Sequence, residues 1–296
     1  MKDMEQILIK PGIHKGMDIS VYHGERNYIS SSSIKEAIKS LSHFHYYRTS
    51  DKPYKSHFDF GNAFELALLD YAHSTLNFMN EVVIFDADDR PEKDKGITSN
   101  INQEWKKSIL NGEKYVINKS GDESFETLQL MLQSCAKDSV IQKLLRNTEY
   151  QNSYFWKDEE TGLLLKTRPD LTKIGKNVII DIKTALDGSP QAFSKQAASL
   201  EYPIQAVLQM RGLIATGQMN EVDAYYWLVA EKKAPYNAQI YEFPKEDWQF
   251  VNDKLSYHLT TLERGIREHK YVGYGQAADN EYGILRLELP LYYRNI

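Results

Sequence analysis

The chain has 296 residues, a formal net charge of −5 and 42% hydrophobic residues. This length permits one large domain or two modest ones, and the apolar content is sufficient for a sizeable core. No apolar run approaches the ~20 residues that span a bilayer, and the N-terminus MKDMEQILIKPG lacks the apolar stretch of a secretory signal. These features predict a soluble cytoplasmic protein that has no membrane partner.

The cysteine content limits which disulfides and metal clusters the chain can form. Cys135 is the only cysteine, which excludes an intramolecular disulfide and a four-cysteine iron–sulfur cluster. Its neighbours Met131, Leu132 and Val140 are apolar and follow helical spacing. The pattern therefore predicts a core cysteine rather than a nucleophile.

The acidic balance argues against a protein that coats nucleic acid, because such proteins carry a basic footprint. It does not exclude an enzyme that grips nucleic acid locally. Positive charge collects between residues 31 and 57. This stretch predicts either a local nucleic-acid contact or the solvated face of a helix.

The first half of the chain predicts an irregular arm followed by helices. Residues 1–27 contain Pro11 and scattered glycines without a sustained period, which is typical of an irregular N-terminal arm. Residues 28–148 form a helical elaboration in this prediction, with an exposed loop at 86–102. Its expected helices show apolar spacing of 3.6 residues and begin at Ser31 or Ser32, then cover residues 58–71, 103–111 and 123–146.

The second half predicts a catalytic core over residues 149–243, followed by a C-terminal helix and tail over 244–296. An alternation of polar and apolar residues, rich in aromatics, predicts a strand at residues 152–158, and a short apolar run predicts one at 178–183. Further strands are predicted at residues 163–167, 222–230 and 238–243. Helices are predicted at residues 191–200 and 202–216, and from Pro244 to about residue 268. Residues 285–293 favour a final strand or an oligomer contact.

Two aspartates and a lysine lie at strand ends in this core. Side chains two positions apart on a strand share a face, so Asp181 and Lys183 project together while Ile182 points into the core. A hairpin turn at residues 175–177 can bring Asp170 beside Asp181. Close carboxylates repel each other unless a cation lies between them or one is protonated.

Mg²⁺ suits this group because it prefers oxygen ligands, here Asp170, Asp181 and the Ile182 carbonyl. Mn²⁺ is the alternative ion. Lys183 could hold or activate a water, or stabilise charge that develops on a phosphate. An isolated Asp-x-Lys is usually a solvated ion pair. The Arg168-Pro169-Asp170 sequence at hairpin distance favours a catalytic site instead.

A longer motif surrounds these residues. It comprises Gly162, Lys166, Arg168-Pro169-Asp170, Asp181-x-Lys183-Thr184, Asp187, Ser189-Pro190 and Tyr202-x-x-Gln205. This pattern resembles the core of PD-(D/E)xK nucleases, and within them it is most similar to RecE-type phage and prophage exonucleases (exodeoxyribonuclease VIII-like). The resemblance is clearest over residues 150–210 and extends weakly to Ser31–Ser33 and Gly61–Glu65.

The resemblance implies an α/β fold of restriction-endonuclease type, with a central mixed sheet flanked by helices and a single nuclease domain over residues 1–296. It implies a Mg²⁺-dependent, double-strand-specific exodeoxyribonuclease of phage or prophage recombination that digests linear duplex ends 5′ to 3′. It also implies two partners beyond DNA, namely a single-strand annealing protein and further copies of the chain in a ring.

The resemblance also assigns roles to individual residues. Glu65 occupies the position at which relatives carry a metal-binding histidine, so it is expected as a third metal ligand. Substrate-binding roles fall on Lys166, Arg168, Gln205 and Ser189, the last at a helix N-terminus that could receive a phosphate. Relatives often carry a glutamate where this chain has Gln151, and Glu149 is the candidate substitute.

Two other functions compete with the exonuclease. The same fold could serve as an endonuclease or as a RecB-like module in repair or defence, and a requirement for a free DNA end would separate these. A catalytically degenerate DNA-binding protein is the third hypothesis, favoured by Glu65 and Gln151. The intact set of Asp170, Asp181 and Lys183 argues against degeneracy, because a binding module does not need all three.

Overall fold

The computed structural model describes residues 9–50, 57–110, 114–275 and 284–289, with only the backbone of residues 57 and 58. These residues form a mixed α/β structure with three sheets. Among them, no helix is long and apolar enough to cross a membrane.

The strands are short, and they form sheets of five, three and two strands. In chain order they are β1 (Gly12–His14), β2 (Val82–Phe85), β3 (Tyr115–Asn118), β4 (Glu149–Tyr150), β5 (Ser153–Lys157), β6 (Leu164–Thr167), β7 (Leu171–Lys173), β8 (Val178–Ala185), β9 (Ala224–Glu231) and β10 (Ala238–Glu242). The helices are α1 (Ile19–Gly24), α2 (Ser31–Lys39), α3 (Leu41–Thr49), α4 (His57–His73), α5 (Asn77–Glu81), α6 (Asn100–Leu110), α7 (Phe125–Lys137), α8 (Ser139–Leu145), α9 (Pro190–Ser199), α10 (Tyr202–Ala215) and α11 (Lys245–Arg267).

The central sheet has the strand order β10-β9-β8-β7-β4. β8 and β9 pair in parallel, and the other neighbours are antiparallel. A parallel pair needs a crossover connection, which α9 and α10 provide between β8 and β9. A mixed sheet flanked by helices confirms the predicted α/β architecture.

Both faces of the central sheet are buried. Ile180 and Ile182 pack into a cluster with apolar residues of α4 and α7, whereas Ile179 packs on the opposite side with residues of α10 and α11. Successive side chains on a strand alternate between faces, so one continuous apolar run contributes to both layers. Asp181 and Lys183 share the α10 side with Ile179, as their spacing predicts.

The prediction of an irregular N-terminal arm is wrong for the residues that the structure describes. β1 pairs antiparallel with β5, in the sheet β1-β5-β6, and α1 follows it. The carboxylate of Asp18 caps α1 by accepting a hydrogen bond from the Ser20 N–H at 2.7 Å. A three-residue strand and a six-residue helix are too short to show a period in sequence. Residues 1–8 lie outside the described residues.

Other elements also differ from the predictions. The helix expected over 123–146 is two helices, because Asp138 accepts hydrogen bonds from the N–H groups of Val140 and Ile141 and begins α8. The parallel pair β2–β3 was not predicted at all. No regular structure occurs at residues 284–289, and the rest of the predicted C-terminal strand lies outside the described residues.

Gly212 marks the closest approach of α10 to the sheet β1-β5-β6. A Cβ atom at this position would lie 2.7 Å from Cγ2 of Thr167 and 2.8 Å from Cζ3 of Trp156. Real Cβ contacts are longer than this, so only glycine permits the observed packing. Gly61, in α4, is the contrasting case, because its added Cβ would meet only Oγ1 of Thr184, at 3.9 Å.

We predict that Gly212→Ala destabilises the fold relative to Gly61→Ala. Both variants gain the same helix propensity, so their difference isolates the packing at Gly212. Overpacking costs ~1–3 kcal/mol, and the free energies of unfolding in urea should differ by about that amount. Equal stability of the two variants would show that α10 moves away from the sheet without cost.

Candidate active site

Asp170 and Asp181 meet across the β7–β8 pair. Leu171 pairs with Ile180, so the preceding Asp170 lies opposite Asp181. Oδ2 of Asp170 accepts a hydrogen bond from the backbone N–H of Ile182 at 2.6 Å. The strand pairing therefore brings together the two aspartates, as the proposed hairpin requires.

Asp181 is fully buried and is contacted from two sides. Its Oδ1 accepts a hydrogen bond from Nε2 of Gln205 at 2.9 Å, and its Oδ2 forms an ion pair with the ammonium of Lys183. Gln205 belongs to α10, which packs on this face of the sheet. The three predicted site residues Asp181, Lys183 and Gln205 are therefore in direct contact.

Lys183 is held as a cation by its carboxylate neighbours. Burial alone would lower the pKa of its ammonium, but the charges of Asp181 and Asp170 outweigh burial and raise that pKa above its ordinary value. The ammonium also lies 4.8 Å from the ring centroid of Tyr202. A permanent positive charge at this position suits charge stabilisation better than proton abstraction.

Glu65 enters the site from α4. Its Oε1 accepts a hydrogen bond from Nε2 of Gln151 at 2.8 Å, and Oε1 of Gln151 accepts one from Nη2 of Arg168 at 3.3 Å. Glu149, the alternative candidate, instead pairs with Lys15 at 3.1 Å. The structure therefore brings Gln151, and not Glu149, into the site.

Three carboxylates share this region, of which Asp181 is buried and Asp170 and Glu65 are half-buried. Burial raises the pKa of Asp170 well above its ordinary value, and the charges of Glu65 and Asp181 raise it further. Burial is also the main cause of the raised pKa of Glu65. Buried carboxylates that raise each other's pKa are relieved by a cation, and oxygen donors suit a hard divalent ion.

The same carboxylates are engaged by protein donors. Asp170 accepts the Ile182 N–H and Asp181 is paired with Lys183. Among the residues that the structure describes, no three His, Cys, Asp or Glu side chains are already grouped to hold a metal ion. The donor set fits a divalent cation in its chemistry, and the individual ligand assignments stay predictions.

These residues open into a groove of about 510 Å³. Its walls carry five of the predicted site residues, namely Glu65, Lys166, Arg168, Asp170 and Gln205. The rim adds Arg26 from the loop after α1, Arg48 from α3, and the serines at positions 30–33 around the start of α2. The basic stretch between residues 31 and 57 thus contributes Arg48 to the groove, whereas Lys39 forms an ion pair with Glu36 at the surface.

Lys166 and Arg168 anchor the N-terminal segment. The ammonium of Lys166 is buried and donates hydrogen bonds to the carbonyls of Tyr22 and Glu25, the latter at 2.6 Å. Arg168 donates to the carbonyl of Met17 at 2.8 Å. These contacts secure both ends of α1 over the groove. They give Lys166 and Arg168 a structural role that the sequence analysis did not predict.

Ser189 is exposed and lies outside the residues that line the groove. It precedes α9, and its N–H donates to Oδ1 of Asp187 at 2.9 Å. Its hydroxyl makes no capping hydrogen bond to the helix. Its predicted contact with a phosphate stays a prediction.

Lys35 is a site residue that sequence reasoning missed. Its ammonium donates to Oε1 of Gln205 at 3.3 Å and lies 5.1 Å from the Tyr202 ring centroid. Burial, followed by the charge of Lys183, lowers the pKa of Lys35 to about 8. Lys35 and Gln205 are 170 positions apart, so no local pattern signals this contact.

The mixed sheet with Asp170, Asp181 and Lys183 at its β7–β8 pair is the architecture of PD-(D/E)xK nucleases. The model of a family described as a PDDEXK-like domain of unknown function (DUF3799) matches residues 30–275. This match spans most of the chain, which therefore belongs to that family. Families of this superfamily generally use divalent metals, and family and fold together support a nuclease.

Solved structures agree with this fold. Five chains match, and one is a crystal structure described as "Putative exonuclease" from Eubacterium rectale. It is 11% identical, with a TM-score of 0.57, and the match covers 95% of this chain and 99% of that chain. At this identity the likeness shows the fold alone. No curated protein matches the chain in sequence.

We predict that Lys166→Met loosens α1. Methionine keeps the apolar stem but leaves the carbonyls of Tyr22 and Glu25 without their charged donor. Lost hydrogen bonds to a charged group cost ~1.5–3 kcal/mol, so the amides of residues 19–24 should exchange hydrogen faster and the free energy of unfolding should fall by about that amount.

Lys173→Met is the matched control. Lys173 also donates to a backbone carbonyl, that of Lys143 at 2.8 Å, but in an exposed position where water can replace it. This control should leave stability and exchange in α1 unchanged. If Lys173→Met and Lys166→Met had the same effects, the stabilising role assigned to Lys166 would be wrong.

Proposed function

We propose that this protein is a metal-dependent exodeoxyribonuclease of RecE type that digests linear duplex DNA from its ends, 5′ to 3′. One observation carries the proposal: Asp170 and Glu65 line a groove together with arginine and serine side chains, and Asp181, which pairs with Lys183, accepts a hydrogen bond from Gln205 in the same lining. Family membership supports a nuclease. The motif Arg168-Pro169-Asp170 followed by Asp181-x-Lys183 supports the RecE type.

The proposed metal ligands are Asp170, Asp181, the Ile182 carbonyl and Glu65. Mg²⁺ is the proposed ion, with Mn²⁺ as the alternative, because all four donors are oxygens. When bound, such an ion makes a coordinated water more acidic and stabilises negative charge on phosphate oxygens. The crowding of three carboxylates, of which Asp181 is fully buried, supports a cation at this place.

Lys183 is the proposed source of positive charge for the reaction. Hydrolysis joins a water oxygen to phosphorus and breaks the bond to the 3′-oxygen, which leaves with a proton. Charge accumulates on the phosphate oxygens during this exchange, and a preorganised ammonium stabilises that charge. Gln205 holds the Asp181 carboxylate in place through its hydrogen bond at 2.9 Å.

The groove is the proposed contact for the DNA backbone. Arg26 and Arg48 supply positive charge on the rim, and the serines at positions 30–33 supply hydroxyl groups. Phosphate contacts from such groups position nucleic acid without reading its sequence. α1 contributes Ile19, Tyr22 and His23 to the lining of the groove.

Several broader proposals rest on the motif alone. We propose that residues 1–296 form a single nuclease domain, that copies of the chain assemble into a ring, and that a single-strand annealing protein receives the product. Action in phage or prophage recombination and a cytoplasmic location belong to the same proposal.

An endonuclease or a RecB-like repair or defence module is the second candidate. The rim chemistry favours neither task over the other, so the need for a free end must be measured. A degenerate binding protein is the third. The contact between Asp181 and Lys183 and the alignment of Asp170 opposite Asp181 argue against it.

The first test digests linear and closed-circular duplex DNA of the same sequence. We expect loss of the linear form only, in Mg²⁺ and not in EDTA. Lys183→Met should lower the rate by at least about 10²-fold, because it removes a preorganised charge. Lys39→Met, which removes a surface lysine, should leave the rate unchanged.

The outcomes separate the candidates. Cutting of the circle would replace the exonuclease with the endonuclease. Absence of cutting in both Mg²⁺ and Mn²⁺, by a folded protein, would support the binding protein instead. Comparing duplexes labelled at the 5′ or at the 3′ end gives the polarity, and early release of a 3′ label would contradict the 5′ to 3′ direction.

The role of Glu65 has its own test. Glu65→Gln preserves shape and a hydrogen-bonding group but removes a charge that would bind the metal. We expect the half-saturating Mg²⁺ concentration to rise by at least about tenfold, because loss of even an outer-shell partner of a ligand costs about 10–100-fold in metal affinity. Glu149→Gln, which alters the carboxylate paired with Lys15, is the control and should leave this concentration unchanged.

A further inference from the structure

Lys35 is linked to the candidate metal ligand Asp181 through one amide. The ammonium of Lys35 donates to Oε1 of Gln205 at 3.3 Å, and Nε2 of the same amide donates to Oδ1 of Asp181 at 2.9 Å. Lys183 contacts the other carboxylate oxygen. A continuous chain of polar contacts therefore runs from α2, through α10, to β8.

The Lys35 charge fixes which way the Gln205 amide faces. An ammonium only donates hydrogen bonds and a carboxylate only accepts them, whereas an amide has one end of each kind. Turning the amide over would set its NH₂ group against the ammonium and its oxygen against the carboxylate. Both contacts would become repulsive, so Lys35 and Asp181 together select one orientation.

Tyr202 allows the second cation to lie close to the first. Its ring centroid is 5.1 Å from the ammonium of Lys35 and 4.8 Å from that of Lys183. The face of an aromatic ring attracts cations, which offsets part of the repulsion between the two lysines. Placing a second cation close to Lys183 costs free energy. This cost indicates that the charge of Lys35 has a role in the site.

Lys35 lies behind the groove and not on its surface. The groove is lined by the serines at positions 30–33 and by Gln205, but not by Lys35. Its contacts instead lead to Gln205 and Tyr202.

We propose that Lys35 is a positioning residue of the candidate active site, which orients the Gln205 amide and through it the Asp181 carboxylate. This inference rests on the proposed nuclease function. It assigns to the N-terminal half of the chain a part in the chemistry of the β7–β8 pair.

The test is a double-mutant cycle with Lys35→Met, Gln205→Ala and the combined variant. Methionine retains the length of the stem and removes the charge. We expect Lys35→Met to lower kcat by about tenfold, the size of effect from losing a hydrogen bond to a charged group, with little change in KM for DNA. Once Gln205 is alanine, the same substitution should have no further effect.

Two further variants distinguish a positioning role of Lys35 from a general contribution to the stability of α2. Lys35→Arg keeps a cationic donor and should recover most of the rate. Lys39→Met removes a charge from the same helix, where Lys39 pairs with Glu36 at the surface, and should match the wild type. Equal losses in these two variants and in Lys35→Met would overturn the proposal.

A non-catalytic readout keeps the inference independent of nuclease activity. Mn²⁺ binding measured by calorimetry should weaken in Lys35→Met and in Gln205→Ala, and by no more in the combined variant. Additive losses would mean that Lys35 does not act through Gln205, which overturns the inference. If the wild type bound Mn²⁺ with this pattern but cut no DNA, only the proposed nuclease function would fail.

Discussion

The hydrogen bond from the Ile182 N–H to the Asp170 carboxylate is the constraint on which the candidate site depends. It extends the β7–β8 ladder by one side-chain contact, and it fixes Asp170 at 2.6 Å from the strand that carries Asp181 and Lys183. A slip of one residue would turn Asp181 and Lys183 to the opposite face. α10 could then no longer reach Asp181 through Gln205.

The partners of the cations in this protein depend on how deeply each cation is buried. The buried Lys166 and the largely buried Lys183 bind a backbone carbonyl or a carboxylate directly, because an unpaired buried charge is prohibitively costly. The half-buried Lys35 has an amide and an aromatic ring as partners. Arg26 is exposed at the rim of the groove. An acidic chain can thus present a local basic surface without a basic composition.

The sequence predicted what local pattern controls. A short apolar run located β8, the two-residue period of a strand gave the shared face of Asp181 and Lys183, and apolar spacing located α4 and α11. Contacts between distant segments left no such signal: Lys166 reaches Tyr22 across 144 positions and Lys35 reaches Gln205 across 170. For the same reason β1 and α1 escaped prediction, since a strand of three residues is stabilised by its partner β5 and not by its own pattern.

The hydrogen bonds from Lys166 and Arg168 to the backbone around α1 bear on where this fold begins. The family match starts at residue 30, whereas β1 and α1 lie before it. A gene fragment trimmed to that boundary would remove the carbonyls that Lys166 and Arg168 bind, together with one strand of the smaller sheet. Lys166 would then keep its buried charge without the two carbonyls that accept its hydrogen bonds, so the structural unit extends upstream of the region that the family model matches.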